Sequence, residues 1–393
     1  MRIIIIQSVA FFDPNGDSGG GEIHLHRMAM EWKKSGNEII LITNKSDRGI
    51  DNYLHYDQVL YLPVINFGLK KGSSTIKIYL QWIKQLKELK SLVMNFGTKR
   101  ETIIISSAPT ASDILIMGFL KRKLDSKGIV YFHLVPPSPL WHPLLRGGFV
   151  NCLLRWINSQ VSLVFTKILA ATPVMDHPRM LTDSGWRFDY GILNDDDFLV
   201  DFPSEIPAEK DFNLICFIAR NDASKGVMDL PKIMSHLNEF NPKIKLIIAG
   251  SSPDHSIIRK MKDKIDYFSL QGNVVQMGFI SKEQKEELLR KSSVFVFPSY
   301  EDSWSLAVME AAAYGCVPIT YDLPAYDYLG QSAIKIPVGR VKEMAEAIYS
   351  VLNNKEKAMK ISQDLRMAVS KYKLEKVAMY QLEYFFSLLN NLS

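Results

Sequence analysis

Cysteine is scarce: Cys152, Cys216 and Cys316 are the only three in 393 residues, and they stand far apart. Neither a disulfide framework nor a Cys-based zinc site follows from that spacing, and a reducing cytosol suits it. No uninterrupted apolar run reaches the roughly 18 residues that a membrane-crossing helix needs. The opening Ile3-Ile4-Ile5-Ile6 is too short for the apolar part of a secretory leader. Asp13 and Asp17 also stand where a small-residue cleavage site belongs, so a buried first strand is expected there. The chain has no G-x-G-x-x-G fingerprint, no Walker A run and no recognised nucleic-acid motif. It also lacks a His/carboxylate cluster at metal spacing. His24 and His26 are two residues apart, but nothing supplies a third ligand. These gaps argue against a nicotinamide dehydrogenase, a nucleic-acid partner and a protein-bound metal. A soluble protein, or one held at a membrane surface, is the expectation.

What is present is ample apolar material. Hydrophobic residues make up 47% and charged residues 23%, enough for two cores and too apolar for intrinsic disorder. Short β-branched runs recur at Ile3–Gln7, Glu38–Thr43, Thr102–Ser106, Ile129–His133 and Lys167–Ala171. The second half repeats the rhythm at Leu214–Ile218, Lys245–Ala249, Val274–Met277, Val294–Phe297 and Pro318–Thr320. Segments of helical period, such as Ile23–Trp32 and Ala111–Lys121, fill most gaps. This alternation predicts an α/β chain with two doubly wound parallel sheets. The break is placed in Asn194–Lys210, which has two prolines, three successive aspartates and no periodicity. The expected domains are therefore 1–197 and 198–370, followed by a terminal helix in 371–393. Ligands of such sheets bind at the strand carboxyl ends, here in a cleft between the domains.

The net charge of +5 is uneven along the chain. Residues 66–155 carry 14 basic and 4 acidic side chains, a local net of +10. Lys70, Lys71, Lys77, Lys84, Lys87 and Lys90 alternate with Ile76, Tyr79, Trp82, Ile83 and Leu86. That pattern predicts an amphipathic helix with a basic side. It is either a solvated face or a contact for an anionic membrane surface or a phosphorylated acceptor.

Four loops after strands carry candidate chemistry. Gly20 and Gly21 lie in Ser18–Glu22, where small residues before a helix let a ligand approach the backbone. Arg220 and Lys225, closed by Gly226, follow the strand Leu214–Ile218. A planar fork and a compact ammonium five residues apart suit a diphosphate. The third loop is Pro298–Ser305, with Asp302 inside it and a helix expected to start near Trp304 or Ser305. The amides of Ser305 and Leu306 would then be open to an anion. Glu310 falls within the otherwise apolar helix Leu306–Ala313 and needs a partner. A vicinal diol would satisfy it, and so would a structural Arg or Lys. The fourth is His133, at the end of its strand, where catalytic and structural roles are both open.

Together these residues resemble the retaining GT-B glycosyltransferases of family 4. Arg220 and Lys225-Gly226 match the family's R-x4-K element, and Asp302-x7-Glu310 resembles its E-x7-E. Gly20-Gly21-Glu22 is similar to its glycine loop and Phe132-His133 to its strand-end histidine. Leu374-Glu375-Lys376-Val377 resembles the helix that in such enzymes crosses back onto the first domain. The resemblance runs nearly end to end. It implies two Rossmann-like domains facing across a cleft, and metal-independent transfer from a nucleotide-diphosphate sugar with retained anomeric configuration. Arg220 and Lys225 would neutralise the diphosphate, and Glu310 would bind the ribose. Asp302 with the amides near Ser305 and Leu306 would hold the donor sugar and phosphate. Gly20 and Gly21 would make room for them, and His133 would lie close to the transferred sugar. The acceptor expected is a glycan, lipid-linked or part of the cell envelope, at the inner face of the membrane. Departures include Asp302 in place of the usual first Glu and Ala219 in place of a Gly before the Arg. A GT-B sugar-nucleotide epimerase and a non-catalytic subunit of a glycosylation complex are the competing readings.

Overall fold

The computed structural model describes residues 1–7, 20–44, 56–62, 101–107, 111–132, 161–169, 171–175, 203, 210–252, 255–302, 305–370, 372 and 374–390. They form two compact units. One takes in the described residues up to Met175 together with Glu375–Asn390, and the other those from Pro203 to Leu374.

The first unit is built on β1 (Arg2–Gln7), β2 (Glu38–Asn44), β3 (Gln58–Leu62), β4 (Thr102–Ser106), β5 (Lys127–Phe132) and β6 (Thr172–Met175). All pairings are parallel, in the order β3-β2-β1-β4-β5-β6. A central parallel strand is covered on both faces, which is why β1 reads as four consecutive isoleucines rather than an alternation. Among the described residues its helices are α1 (Gly20–Lys34), α2 (Ala111–Leu124), α3 (161–168) and the terminal α10 (Leu374–Asn390). Helix α10 docks on α1 through an edge-on contact of Phe385 with Trp32, ring centroids 5.1 Å apart and both side chains buried.

The second unit holds β7 (Asp211–Ile218), β8 (Lys245–Ala249), β9 (Val274–Gly278), β10 (Ser292–Phe297), β11 (Val317–Tyr321) and β12 (Ile334–Ile336). Its parallel sheet runs β12-β11-β10-β7-β8-β9. Read within the unit, this is the order of the first sheet. The helices are α4 (Leu230–Phe240), α5 (His255–Tyr267), α6 (Lys282–Lys291), α7 (Leu306–Ala313), α8 (Val341–Leu352) and α9 (Lys355–Val369). A 3-10 stretch, Pro324–Ser332, joins β11 to β12. In each sheet the strand order reverses beside its first strand, between β1 and β4 and between β7 and β10. Doubly wound sheets take their ligands at such a reversal, beside the strand carboxyl ends.

Three local expectations need correction. The strand expected at Lys167–Ala171 is not there: Lys167 and Ile168 end α3, Leu169 is in a turn, and the strand is Thr172–Met175. A short apolar run such as Ile168–Ala171 does not by itself distinguish a strand from a helix end. Helix α1 starts at Gly20, three residues before the predicted Ile23. Strands β3 and β12 were not anticipated: β12 is a half-buried three-residue edge strand. The basic segment Lys70–Lys90 lies outside the described residues. Cys216 and Cys316 are free and buried.

Candidate functional site

The carboxyl ends of β7 and β10 bring most of the predicted residues together. After β7 the chain turns through Ala219–Gly226, and Asp222 organises that turn. Its Oδ1 accepts from the Ser224 amide (2.9 Å), the Ser224 hydroxyl (2.6 Å) and the Lys225 amide (3.1 Å). Its Oδ2 accepts from Arg220 Nε at 2.8 Å. Burial pushes the Asp222 carboxyl up, but the Ser224 hydroxyl, Arg220 and the Lys225 amide together hold it below its ordinary value. Arg220 is thus aimed from its base while half of its side chain faces solvent.

Gly226 seats this loop on β10. Its φ is +71°, and a Cβ there would lie 1.7 Å from the Pro298 carbonyl oxygen, so no larger residue fits. The Tyr300 amide then donates to Ser224 O at 2.8 Å. Lys225 Nζ reaches across to Glu301 O (3.2 Å) and Asp302 Oδ2 (3.2 Å), above the Phe297 ring. Asp302 Oδ2 also accepts from Tyr326 OH at 3.3 Å. Burial first, and then the charge of Asp302, push the Tyr326 phenol well above its ordinary range, so it stays a donor.

Helix α7 begins at Leu306, one or two residues after the expected start near Trp304 or Ser305; Ser305 is its N-cap, and its Oγ accepts from the Val308 amide at 3.4 Å. Its first helical bond runs from the Met309 amide to Ser305 O, so the Leu306 and Ala307 amides precede the ladder. Tyr328 OH donates to Ser305 O at 3.2 Å and steadies the cap. One turn on, buried Glu310 does have a protein partner: Lys285 Nζ, from the first turn of α6, lies 2.9 Å from its Oε2. Of the two partners considered for Glu310, the protein supplies the cation. Below the site, Asp229 Oδ2 accepts from Tyr300 OH (2.5 Å) and Tyr321 OH (2.9 Å). That network fixes the floor between β10, β11 and α4.

Arg220, Lys225, Asp302, Ser305, Leu306 and Glu310 therefore share one end of one sheet. Gly20 and Gly21 form the first turn of α1, in the other unit. His133 immediately follows β5 and lies outside the described residues. His26 is structural in character, its Nδ1 3.0 Å from Tyr56 OH. Asp222 and Lys285 were missed from the sequence. Asp222 had a local signal, a carboxylate two residues before a serine in a turn, whereas Lys285 had none. Among the described residues no cluster of three or more His, Cys, Asp or Glu is placed to hold a metal. A cavity of about 820 Å3 lined by Met1, Asn37, Glu38 and Glu101 lies at the amino ends of the first unit's strands. That is the end of a doubly wound sheet opposite to its ligands.

Residues 201–366 match the family model described as Glycosyl transferases group 1, the stretch that contains this constellation. Over 170 residues the chain is 26% identical to the uncharacterized glycosyltransferase YqgM of Bacillus subtilis, covering 42% of this chain and 46% of that protein. Over 306 residues it is 22% identical to the alpha-galactosylglucosyldiacylglycerol synthase of Streptococcus pneumoniae, covering 75% and 63%. A poly(glycerol-phosphate) alpha-glucosyltransferase of Bacillus subtilis is 28% identical over 174 residues, 42% of this chain and 24% of that protein. The matched stretches thus span less than two thirds of each of these relatives. Among solved structures, sucrose-phosphate synthase from Thermosynechococcus elongatus superposes with a TM-score of 0.74 at 17% identity, covering 100% of both chains. Anabaena HepE in complex with UDP and glucose gives 0.73 at 14% identity, covering 98% and 100%. With its two parallel sheets, the chain has the GT-B fold.

Proposed function

We propose that the chain is a retaining glycosyltransferase of family 4 that takes a sugar from a nucleotide-diphosphate donor without a metal ion. The observation that carries this reading is the Lys225–Asp302 contact at 3.2 Å. It couples the two loops at the point where the second sheet's strand order reverses, with Arg220 beside it. In this reading Arg220 and Lys225 meet the diphosphate. As the bond from anomeric carbon to phosphate oxygen breaks, the electron pair leaves with the nucleotide, and fixed positive charge stabilises it in place of a divalent cation. Asp302 and the amides at Ser305 and Leu306 hold the sugar and phosphate. Glu310 accepts from the ribose hydroxyls while Lys285 keeps its buried carboxylate compensated. The acceptor hydroxyl bonds to the anomeric carbon from the face the nucleotide leaves, and its proton passes to the departing phosphate oxygen. In the same reading Gly20 and Gly21 make room for the donor phosphate and sugar, and His133 acts on the transferred sugar.

The acceptor we propose is a lipid-linked or cell-envelope glycan, reached by a cytoplasmic protein that sits on the inner face of the membrane. Support comes from the basic first half of the chain and from relatives named for a glycolipid and for poly(glycerol-phosphate). Transfer assays with labelled donors, followed by the anomeric configuration of the product, test this function. A product that keeps the donor's configuration, formed equally in EDTA, is expected. Isomerised sugar from the donor alone would make the chain an epimerase. Donor binding without turnover on any acceptor would make it a binding subunit.

A further inference from the structure

Helix α3 is amphipathic in the wrong sense for a buried helix. Val161, Val164, Phe165 and Ile168 follow the i, i+3, i+4, i+7 spacing of one face, and they are 43%, 42%, 38% and 69% exposed. The inward side holds Ser162, Leu163 and Thr166, all buried, and Thr166 settles its hydroxyl on Ser162 O at 2.7 Å. Four apolar side chains on one exposed face form a patch rather than scattered surface residues.

The end of this helix is bordered by cations. Lys121 of α2 donates to Leu169 O at 2.9 Å, and Gly118 is packed so closely on Leu169 that a Cβ would lie 2.7 Å from it. The last turn of α2 is therefore held against the end of α3, which brings Arg122 and Lys123, both exposed, to its border. Residues 121–127 hold four cations and one carboxylate, Asp125, and Lys167 is exposed on α3 itself. Burial, and then the nearby charge of Lys127, lower the Lys121 ammonium's affinity for its proton.

We infer that the exposed face of α3, with the basic end of α2 beside it, is the surface by which the first unit lies on an anionic lipid membrane. The apolar stripe would enter the boundary between headgroups and acyl chains while the lysines and arginine meet lipid phosphates. A second copy of the chain is the poorer occupant, because a two-fold contact through this patch would set two cationic borders against each other. The inference deepens the membrane-acceptor reading above and uses no residue of the donor site.

Vesicle sedimentation tests it. Full-length protein is spun with vesicles of equal parts phosphatidylglycerol and phosphatidylcholine, and with phosphatidylcholine alone, at low salt and at about 0.5 M salt. The wild type should sediment with the anionic vesicles at low salt only. Phe165→Glu/Ile168→Glu and Arg122→Glu/Lys123→Glu should each weaken binding by about tenfold or more. Nucleotide affinity should stay at the wild-type level in both, so that a lost membrane surface and a lost donor site read differently. The second pair changes exposed charges only and keeps the test decisive if the first pair does not fold. A wild type that stays in the supernatant, or variants that sediment like it, would overturn the inference. So would self-association of the wild type that Phe165→Glu/Ile168→Glu abolishes, which would give the face to a second copy.

Discussion

Among single residues, Asp222 and Lys285 do the least conspicuous work, each by placing a neighbour. Asp222 holds Arg220 by Nε and Lys225 by its amide. Replacing Asp222 with Ala removes hydrogen bonds to a charged acceptor and should cost about 1–3 kcal/mol. Urea unfolding checks the stability loss, and nucleotide titration should show weaker binding with it. The charge of Asp222 also has a pH signature. Its folded carboxyl titrates below the ordinary 3.8, so its contribution is complete above that value and is lost as pH falls through the lowered one. The stability gap between wild type and Asp222→Asn should be flat from about pH 7 to 5 and shrink below about pH 4. Lys285→Met would leave the buried Glu310 carboxylate without its ammonium and should cost about 3 kcal/mol in a denaturant melt. Lys285→Met/Glu310→Leu should recover part of that loss, because it removes both charges. Glu310 was legible in the sequence as a carboxylate in an apolar helix that needs a partner. The partner was not, since 25 residues and a strand separate Lys285 from it.

At the scale of elements, the reading worked where chemistry interrupts a regular pattern. The apolar helix Leu306–Ala313 was legible because an apolar run follows a polar strand-to-helix loop, whereas its cap, Ser305, was taken for a residue of the helix start. The reading failed at Lys167–Ala171, where α3 ends with Lys167 and Ile168 both exposed, so a short apolar run there did not mark a buried strand. It also passed over β3 and β12, the outermost strands of their sheets at the β3 and β12 edges. Edge strands lack the long apolar runs of central ones. Gly226 is the tightest joint between elements, and Gly226→Ala should cost at least about 2 kcal/mol, because both the space and the φ are wrong for a side chain. A thermal melt should show the loss, and nucleotide affinity should fall with it, since the Arg220–Lys225 loop is seated through that glycine.

Across the whole molecule, one strand order occurs twice, and the clustered candidate residues lie where the second copy of that order reverses. The alternation of short strands and helices made the doubly wound class legible. The docking of α10 on the first unit came from the family resemblance, because a terminal amphipathic helix carries no label for its partner. Trp32→Ala should destabilise that unit by about 3–5 kcal/mol, with Phe385→Ala less than additive to it, as a double-mutant cycle by calorimetry would show. In the proposed function Arg220 and Lys225 take the place of a metal at the donor site. Calorimetric titration of the wild type, Lys225→Ala and Glu310→Ala with UDP, GDP and ADP, with magnesium and with EDTA, tests it most directly. Selective binding of one nucleotide, equal in magnesium and EDTA and at least about tenfold weaker in either variant, is expected. A folded wild type that binds none of them, or binds only with magnesium, would contradict it.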